Sequence, residues 1–170
     1  PWQKREPASV VLLHTRSREQ ANQPEFVDPL QAATGVWFSG GDQARLAEAY
    51  IGTAVEPAVK AVMDRDGVVG GTSAGAAFMS RLMINRGEEQ MGLDLLPGAV
   101  IDQHFLARRR QDRLMTVLSA HPTLVGFGVD EGTALIVRGR SLEVVGESDV
   151  VVCMSANATR PARIDRLAPG

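Results

Sequence analysis

Apolar runs rich in valine recur along the chain, separated by stretches whose apolar residues follow a helical period. Residues 10–13, 36–38 and 68–69 read as short buried strands, and residues 124–129, 134–137, 142–145 and 150–152 continue the series. The last three lie close together, so antiparallel hairpins are an alternative there, with Gly139 at one turn and Glu147-Ser148-Asp149 near the other. Between the strands, Val55, Val59, Val62 and Met63 fall at i, i+4, i+7 and i+8 and so share one helix face. Thr53 and Glu56 have capping-box spacing ahead of this helix, Pro57 sits in its tolerant first turn, and Gly67 follows its end. A second helix is expected over residues 106–120, with Leu114, Val117 and Leu118 facing inward. This alternation predicts an α/β fold, three α/β/α layers around a mainly parallel sheet.

Composition narrows the classes. A length of 170 residues suits one domain over residues 1–170, large enough for a real core. With 18 Lys+Arg against 20 Asp+Glu, the net charge is −2, which leaves no basic footprint for nucleic acid. The longest apolar runs reach about half a bilayer span, so no membrane span is expected. A single cysteine, Cys153, excludes an internal disulfide and a multi-cysteine zinc site. A chain that opens on Pro1 is expected to begin inside a longer one, lacking part of the native N-terminus. No signal peptide is visible, and the sequence assigns no compartment.

The clearest chemistry lies at Gly71-Thr72-Ser73-Ala74-Gly75, which fits G-x-S-x-G. Asp66-Gly67-Val68-Val69-Gly70 supplies a strand entering the turn, and Ala76-Ala77-Phe78-Met79 starts a helix beyond it. Such a turn strains the backbone of the serine and pushes its hydroxyl clear of the sheet, and bulky neighbours at Gly71 and Gly75 would collide. The free N–H groups at the helix start, Ala74 first, would face a developing oxyanion. A glycine-rich turn that merely bends the chain or holds a phosphate competes with this reading, but the Gly-Lys-Ser/Thr of a phosphate loop is missing.

A serine hydroxyl needs a base, and the chain offers His14, His104 and His121. His121 precedes Pro122 at a helix end, where an interaction with the helix dipole is the simpler role. His14 follows the 10–13 run, and His104 sits in Asp102-Gln103-His104-Phe105. Local composition gives His104 only a modest edge over His14. Asp130-Glu131 ends the 124–129 strand, and ligands of open α/β sheets gather at the carboxyl ends of strands. A carboxylate there would orient an imidazole, while a solvated turn before Gly132 is the plainer alternative. Arg108, Arg109, Arg110 and Arg113 crowd one stretch, which costs stability unless an anion or carboxylates offset them.

Taken in order, Gly70-Gly71-Thr72-Ser73-Ala74-Gly75-Ala76, Asp102-Gln103-His104-Phe105 and Gly128-Val129-Asp130-Glu131-Gly132-Thr133-Ala134 resemble cyanophycinase and its relatives, the peptidase E group of serine peptidases. Gly40-Gly41-Asp42-Gln43 resembles the glycine-rich loop that faces the nucleophile in that family. The resemblance implies a single catalytic domain with a fold related to class I glutamine amidotransferases (flavodoxin-like), serine replacing their cysteine. It implies Ser73 as nucleophile, His104 as base and Glu131 as orienting acid, with Gly41 and Ala74 at the oxyanion. Gln43, Asp102, Gln103, Arg108, Arg110 and Arg113 would line the substrate pocket. No metal and no cofactor is implied, and the relatives are commonly homodimers. Their substrate, cyanophycin, is a polymer with an aspartate backbone carrying arginine on each β-carboxyl, cut into β-Asp-Arg dipeptides. The expected activity is therefore cleavage of aspartyl or β-aspartyl peptide bonds. An aspartyl dipeptidase of peptidase E type, or a non-catalytic domain binding an Arg- or Asp-containing ligand, is the alternative. Two features depart from the family: the glycine-rich opening strand is missing, and Arg86-Gly87-Glu88-Glu89-Gln90-Met91 is short for its loop. Either a segment is absent or the pocket rim is trimmed.

Overall fold

The computed structural model describes residues 7–170, so the expectation attached to Pro1 lies outside the described residues. Contacts divide the chain into two units. The first takes the residues up to Val36 together with Glu48–Val69. Its helices are α1 (Pro24–Gln31) and α3 (Val55–Asp64), while α2 (Gln43–Tyr50) carries the chain into it from the second unit. Val55, Val59 and Val62 are buried as the helical period requires, and Met63, at the edge of that face, is exposed. Phe26 stacks on Tyr50 with ring centroids 6.5 Å apart.

Two local expectations fail in this unit. Thr53 and Glu56 do not close a capping box: the Thr53 hydroxyl donates back to the Tyr50 carbonyl, and the Glu56 carboxylate accepts the Gly52 N–H and the Lys60 ammonium. Residues 10–13 form no strand, and Val10, Val11 and Leu12 are exposed, Leu12 at 89%. An apolar run becomes a strand only when a neighbour takes its backbone N–H and C=O groups, and none among the described residues does so.

Strands β1 (Gly35–Phe38) and β2 (Val68–Gly71) pair with each other. The second unit is built on six further strands: β3 (Ser80–Asn85), β4 (Glu88–Met91), β5 (Leu96–Gln103), β6 (Val125–Val129), β9 (Val150–Met154) and β10 (Arg163–Leu167). Their order is β10-β9-β6-β5-β3-β4. This sheet is mixed rather than mainly parallel: β3, β5 and β6 run parallel, while β4, β9 and β10 are antiparallel to their neighbours. Connection length is the cause. Arg86 and Gly87 join β3 to β4 with φ of 52° and 90°, the signs of a tight hairpin turn, whereas α5 (Gln111–Ala120) lies in the longer crossover from β5 to β6.

Alternation along β5 and β6 divides the core between two faces. Val100 joins Leu114, Val117 and Leu118 of α5, and Gly126 and Gly128 lie flat so that Leu114, Leu118 and Phe105 can approach. Ala99, Ile101 and Phe127 point the other way, onto Ala76 of α4 (Ala74–Phe78) and onto Val144 and Leu135. Those last two belong to a separate antiparallel hairpin, β7 (Thr133–Arg138) and β8 (Ser141–Gly146), closed at Gly139, which is the alternative that the close spacing of these strands left open. Glu147-Ser148-Asp149 returns the chain to β9, which pairs with β6 rather than with β8. The helix expected from residue 106 starts at Gln111, because residues 104–109 form a turn.

Candidate active site

Every residue of the candidate site lies in the second unit. Strand β2 ends at Gly71, and α4 begins at Ala74. Between them Ser73 is held at φ 54°, ψ −113°, a conformation that only glycine adopts readily. The neighbours make this turn possible. A Cβ on Gly75 would sit 2.1 Å from the Phe38 carbonyl oxygen, and one on Gly71 would sit 2.5 Å from the Gly75 carbonyl. Backbone bonds from Thr72 N–H to Phe38 and from Gly75 N–H to the Thr72 carbonyl fix the turn from both sides. The Ser73 hydroxyl therefore stands on a rigid support.

His104 follows β5, also with positive φ (50°). Its Nε2 lies 2.9 Å from Ser73 Oγ, and its Nδ1 lies 2.9 Å from Glu131 Oε1. One imidazole thus bridges a hydroxyl and a carboxylate with its two ring nitrogens. The Glu131 side chain is 60% exposed and that of His104 26%. His14 is exposed in the first unit, and His121 caps the end of α5 and pairs with Glu89 at 2.7 Å. The structure thus brings together Ser73, His104 and Glu131 of the residues nominated above. Ala74, as the first residue of α4, has an N–H without an intrahelical acceptor. The Gly40-Gly41 loop lies beside the serine: a Cβ on Gly40 would be 3.5 Å from that of Ser73. That loop is pinned by Gln43, which is buried and donates its amide N–H to the Ile84 carbonyl at 2.9 Å.

The arginine stretch is offset by a carboxylate. Asp102 is buried, and its two oxygens accept from Arg113 Nε at 2.8 Å, from Arg113 Nη2, and from Arg110 Nη1 at 3.3 Å. Arg110 Nη1 also donates to the carbonyl and side-chain oxygens of Gln103. Burial, reinforced by the nearby charge of Arg113, lowers the Arg110 pKa from its ordinary value, with Asp102 opposing. Arg108 and Arg109 are exposed.

One role was not legible in the sequence. Asp130 Oδ1 accepts the backbone N–H groups of Leu106 and Ala107 at 3.1 and 3.0 Å, and its Oδ2 accepts the Ser148 hydroxyl at 3.2 Å. Burial works against the charge, but these bonds and the Glu131 N–H together hold its pKa below the usual carboxylate value. Cys153 is buried in the core, which raises its thiol to about 11 and makes it inert. Among the described residues no group of His, Cys, Asp and Glu is arranged to hold a metal ion, and no helix is long and apolar enough to cross a membrane.

The model of peptidase family S51 matches residues 6–145. A cyanophycinase from Nostoc sp. is 37% identical over 156 residues, covering 84% of this chain and 52% of that protein. One from Geminocystis herdmanii is 33% identical over 159 residues, covering 84% and 57%. The chain thus spans about half the length of these curated relatives. Among solved structures, a peptidase from an acI-B1 actinobacterium superposes with a TM-score of 0.73 at 29% identity, covering 91% of this chain and 64% of that one.

Proposed function

We propose, from the premise that the chain belongs to peptidase family S51, that it hydrolyses aspartyl or β-aspartyl peptide bonds through a Ser73-His104-Glu131 triad. The observation that carries this is the pair of 2.9 Å contacts joining Ser73 Oγ to His104 Nε2 and His104 Nδ1 to Glu131 Oε1. In the acylation step His104 takes the hydroxyl proton as Ser73 Oγ attacks the scissile carbonyl carbon. Glu131 holds the ring and stabilises the imidazolium. The oxyanion is met by the N–H groups of Ala74 and Gly41. Collapse of the tetrahedral intermediate breaks the C–N bond, and His104 returns the proton to the leaving amine. Water, deprotonated by His104, then attacks the acyl carbon, and His104 returns that proton to Ser73 Oγ as the C–O bond breaks and the acid product leaves.

Similarity to curated cyanophycinases supports a cyanophycin-like aspartyl polymer as substrate. The pocket assignment of Gln43, Asp102, Gln103, Arg108, Arg110 and Arg113 belongs to the same proposal. In it the exposed Arg108 meets a substrate carboxylate, while Asp102 and Gln103 hold Arg110 and Arg113 behind it. We also infer kinship with the class I glutamine amidotransferase, flavodoxin-like folds, on the strand–turn–helix that presents Ser73, and a homodimer as the working assembly. The test is product analysis after incubation with cyanophycin and with α- and β-aspartyl dipeptides, alongside Ser73→Ala. Arginine-bearing β-aspartyl dipeptides from the polymer, absent with Ser73→Ala, are expected. Cleavage of simple dipeptides alone would assign the dipeptidase activity instead, and wild-type turnover by Ser73→Ala would overturn the triad.

A further inference from the structure

Glu131 is a largely exposed carboxylate with a single hydrogen bond to His104, and such a contact holds a side chain weakly in water. Something else must fix the imidazole. His104 itself has a left-handed backbone, so its ring direction depends on how the following residues are tied. Within that turn, Phe105 N–H bonds the Val129 carbonyl, Arg108 N–H bonds His104, Arg109 N–H bonds Leu106, and Arg110 N–H bonds Phe105. The N–H groups of Leu106 and Ala107 instead converge on one oxygen of Asp130. The other oxygen takes the Ser148 hydroxyl, and Ser148 is itself held by Thr133, whose hydroxyl accepts the Ser148 N–H at 2.9 Å.

From this arrangement we propose that Asp130 is a positioning residue: its carboxylate ties down the turn after His104 and thereby aims the imidazole at Ser73. Consecutive side chains then act on the histidine at two points, Glu131 on its ring and Asp130 on the turn that follows it, through the N–H groups of Leu106 and Ala107. The Asp130 carboxylate bonds Leu106, Ala107 and Ser148, none of which belongs to the triad. The inference rests on the triad reading above, and its test separates the two.

Asp130→Ala, Asp130→Asn and Ser73→Ala are compared in the full chain with a β-aspartyl peptide. Folded sites of wild type and the Asp130 variants are counted by titration to completion with a fluorophosphonate, which labels an activated serine, and Ser73→Ala is read as turnover per total protein. Misplacing a base by about 1 Å costs up to about 100-fold. Asp130→Ala is therefore expected to lower kcat per titrated site by about ten- to 100-fold with KM nearly unchanged. Asparagine keeps an oxygen that accepts from both N–H groups, so Asp130→Asn is expected to recover most of that loss. A purely structural role would lower the number of titrated sites and leave kcat per site at the wild-type value, and that result overturns the proposal. Should the alanine variant not fold, Asp130→Glu, which carries its carboxylate one methylene too far, is read in the same way. Ser73→Ala with wild-type turnover would instead remove the triad reading and leave the Asp130 kinetics to be explained without it.

Discussion

Asp102→Asn discriminates most sharply between two uses of the arginine stretch. The Asp102 side chain is 1% exposed, and it accepts from both Arg113 and Arg110, whose side chains are 31% and 15% exposed. An asparagine must turn an amide NH2 toward one of the guanidinium groups, so at least one donor faces another donor and the compensating charge is lost. Breaking a fully buried ion pair costs about 3–5 kcal/mol. Both arginines keep some access to water, which lowers the expected loss to about 2–3 kcal/mol. For a chain of this size that is about 5–10 °C in Tm. Equilibrium urea unfolding measures it, and repeating the substitution in an Arg113→Gln background isolates the coupling, since most of the loss should vanish there. If Arg110 and Arg113 were instead substrate clamps competed for by Asp102, releasing them would lower KM and leave stability within about 0.5 kcal/mol of wild type, the range of ordinary surface substitutions. That pair of results would refute the reasoning.

The other expectations concern the two carboxylates beside His104. Glu131→Gln should lower kcat/KM about five- to thirtyfold, as for a charge-assisted bond worth about 1–2 kcal/mol at a wet site; a loss of about 10⁴-fold, as when the aspartate of a buried trypsin-type triad is changed, would mean that water is excluded from Glu131. Asp130 has its folded-state pKa below its unfolded value, so the stability it contributes is fully present above the ordinary carboxylate range and is lost as pH falls through the lowered value. Unfolding curves of wild type and Asp130→Asn should therefore differ at neutral pH and converge in acid, and a gap that persists or widens there would contradict this.

What could be read from the sequence was set by range. The serine turn is largely local: its glycines, its strand and its helix start all lie within a dozen residues, and only the passage of Phe38 beside Gly75 comes from afar. Helix α3 and the buried valines along it follow from a period of the same kind. The missed strands have other causes. Strands β4 and β10 are edges whose charged residues suppress an apolar signal, as suits an edge exposed to water. Strand β5 opens on Leu96-Pro97-Gly98, which reads as a turn, although Val100, Ile101 and Asp102 are buried. The false strand at residues 10–13 shows the reverse, an apolar run with no ladder. For the site, Glu131 and Asp130 are neighbours in sequence, yet one reaches the ring of His104 and the other the backbone of Leu106 and Ala107 in the turn after it. Asp102 meets Arg110 and Arg113 eight and eleven positions on, across a turn rather than along a helix face. No local pattern encodes either arrangement, which is why resemblance was needed to select His104 over His14.

Backbone strain ties the site to its cost in stability. Six non-glycine residues have positive φ among the described residues, and they include Ser73 and His104, the two groups between which the proton would move. Strain of this kind is typically about 1–3 kcal/mol per residue and persists only where surrounding structure enforces it. For Ser73 the enforcing contacts are the Thr72 and Gly75 backbone bonds and the close passage of Phe38. Its φ, ψ of 54°, −113° mirror the ordinary extended region, where glycine is comfortable and alanine is not. Ser73→Ala and Ser73→Gly both remove the nucleophile, so they differ only in how the turn tolerates them. Glycine loses more freedom on folding, by roughly 0.5–1 kcal/mol, but escapes the strain. The glycine variant is therefore expected to be the more stable of the two, by about 1 kcal/mol, in equilibrium urea unfolding. An alanine variant equal to or more stable than the glycine variant would mean that the turn relaxes without its serine, and that Ser73 is not held under strain.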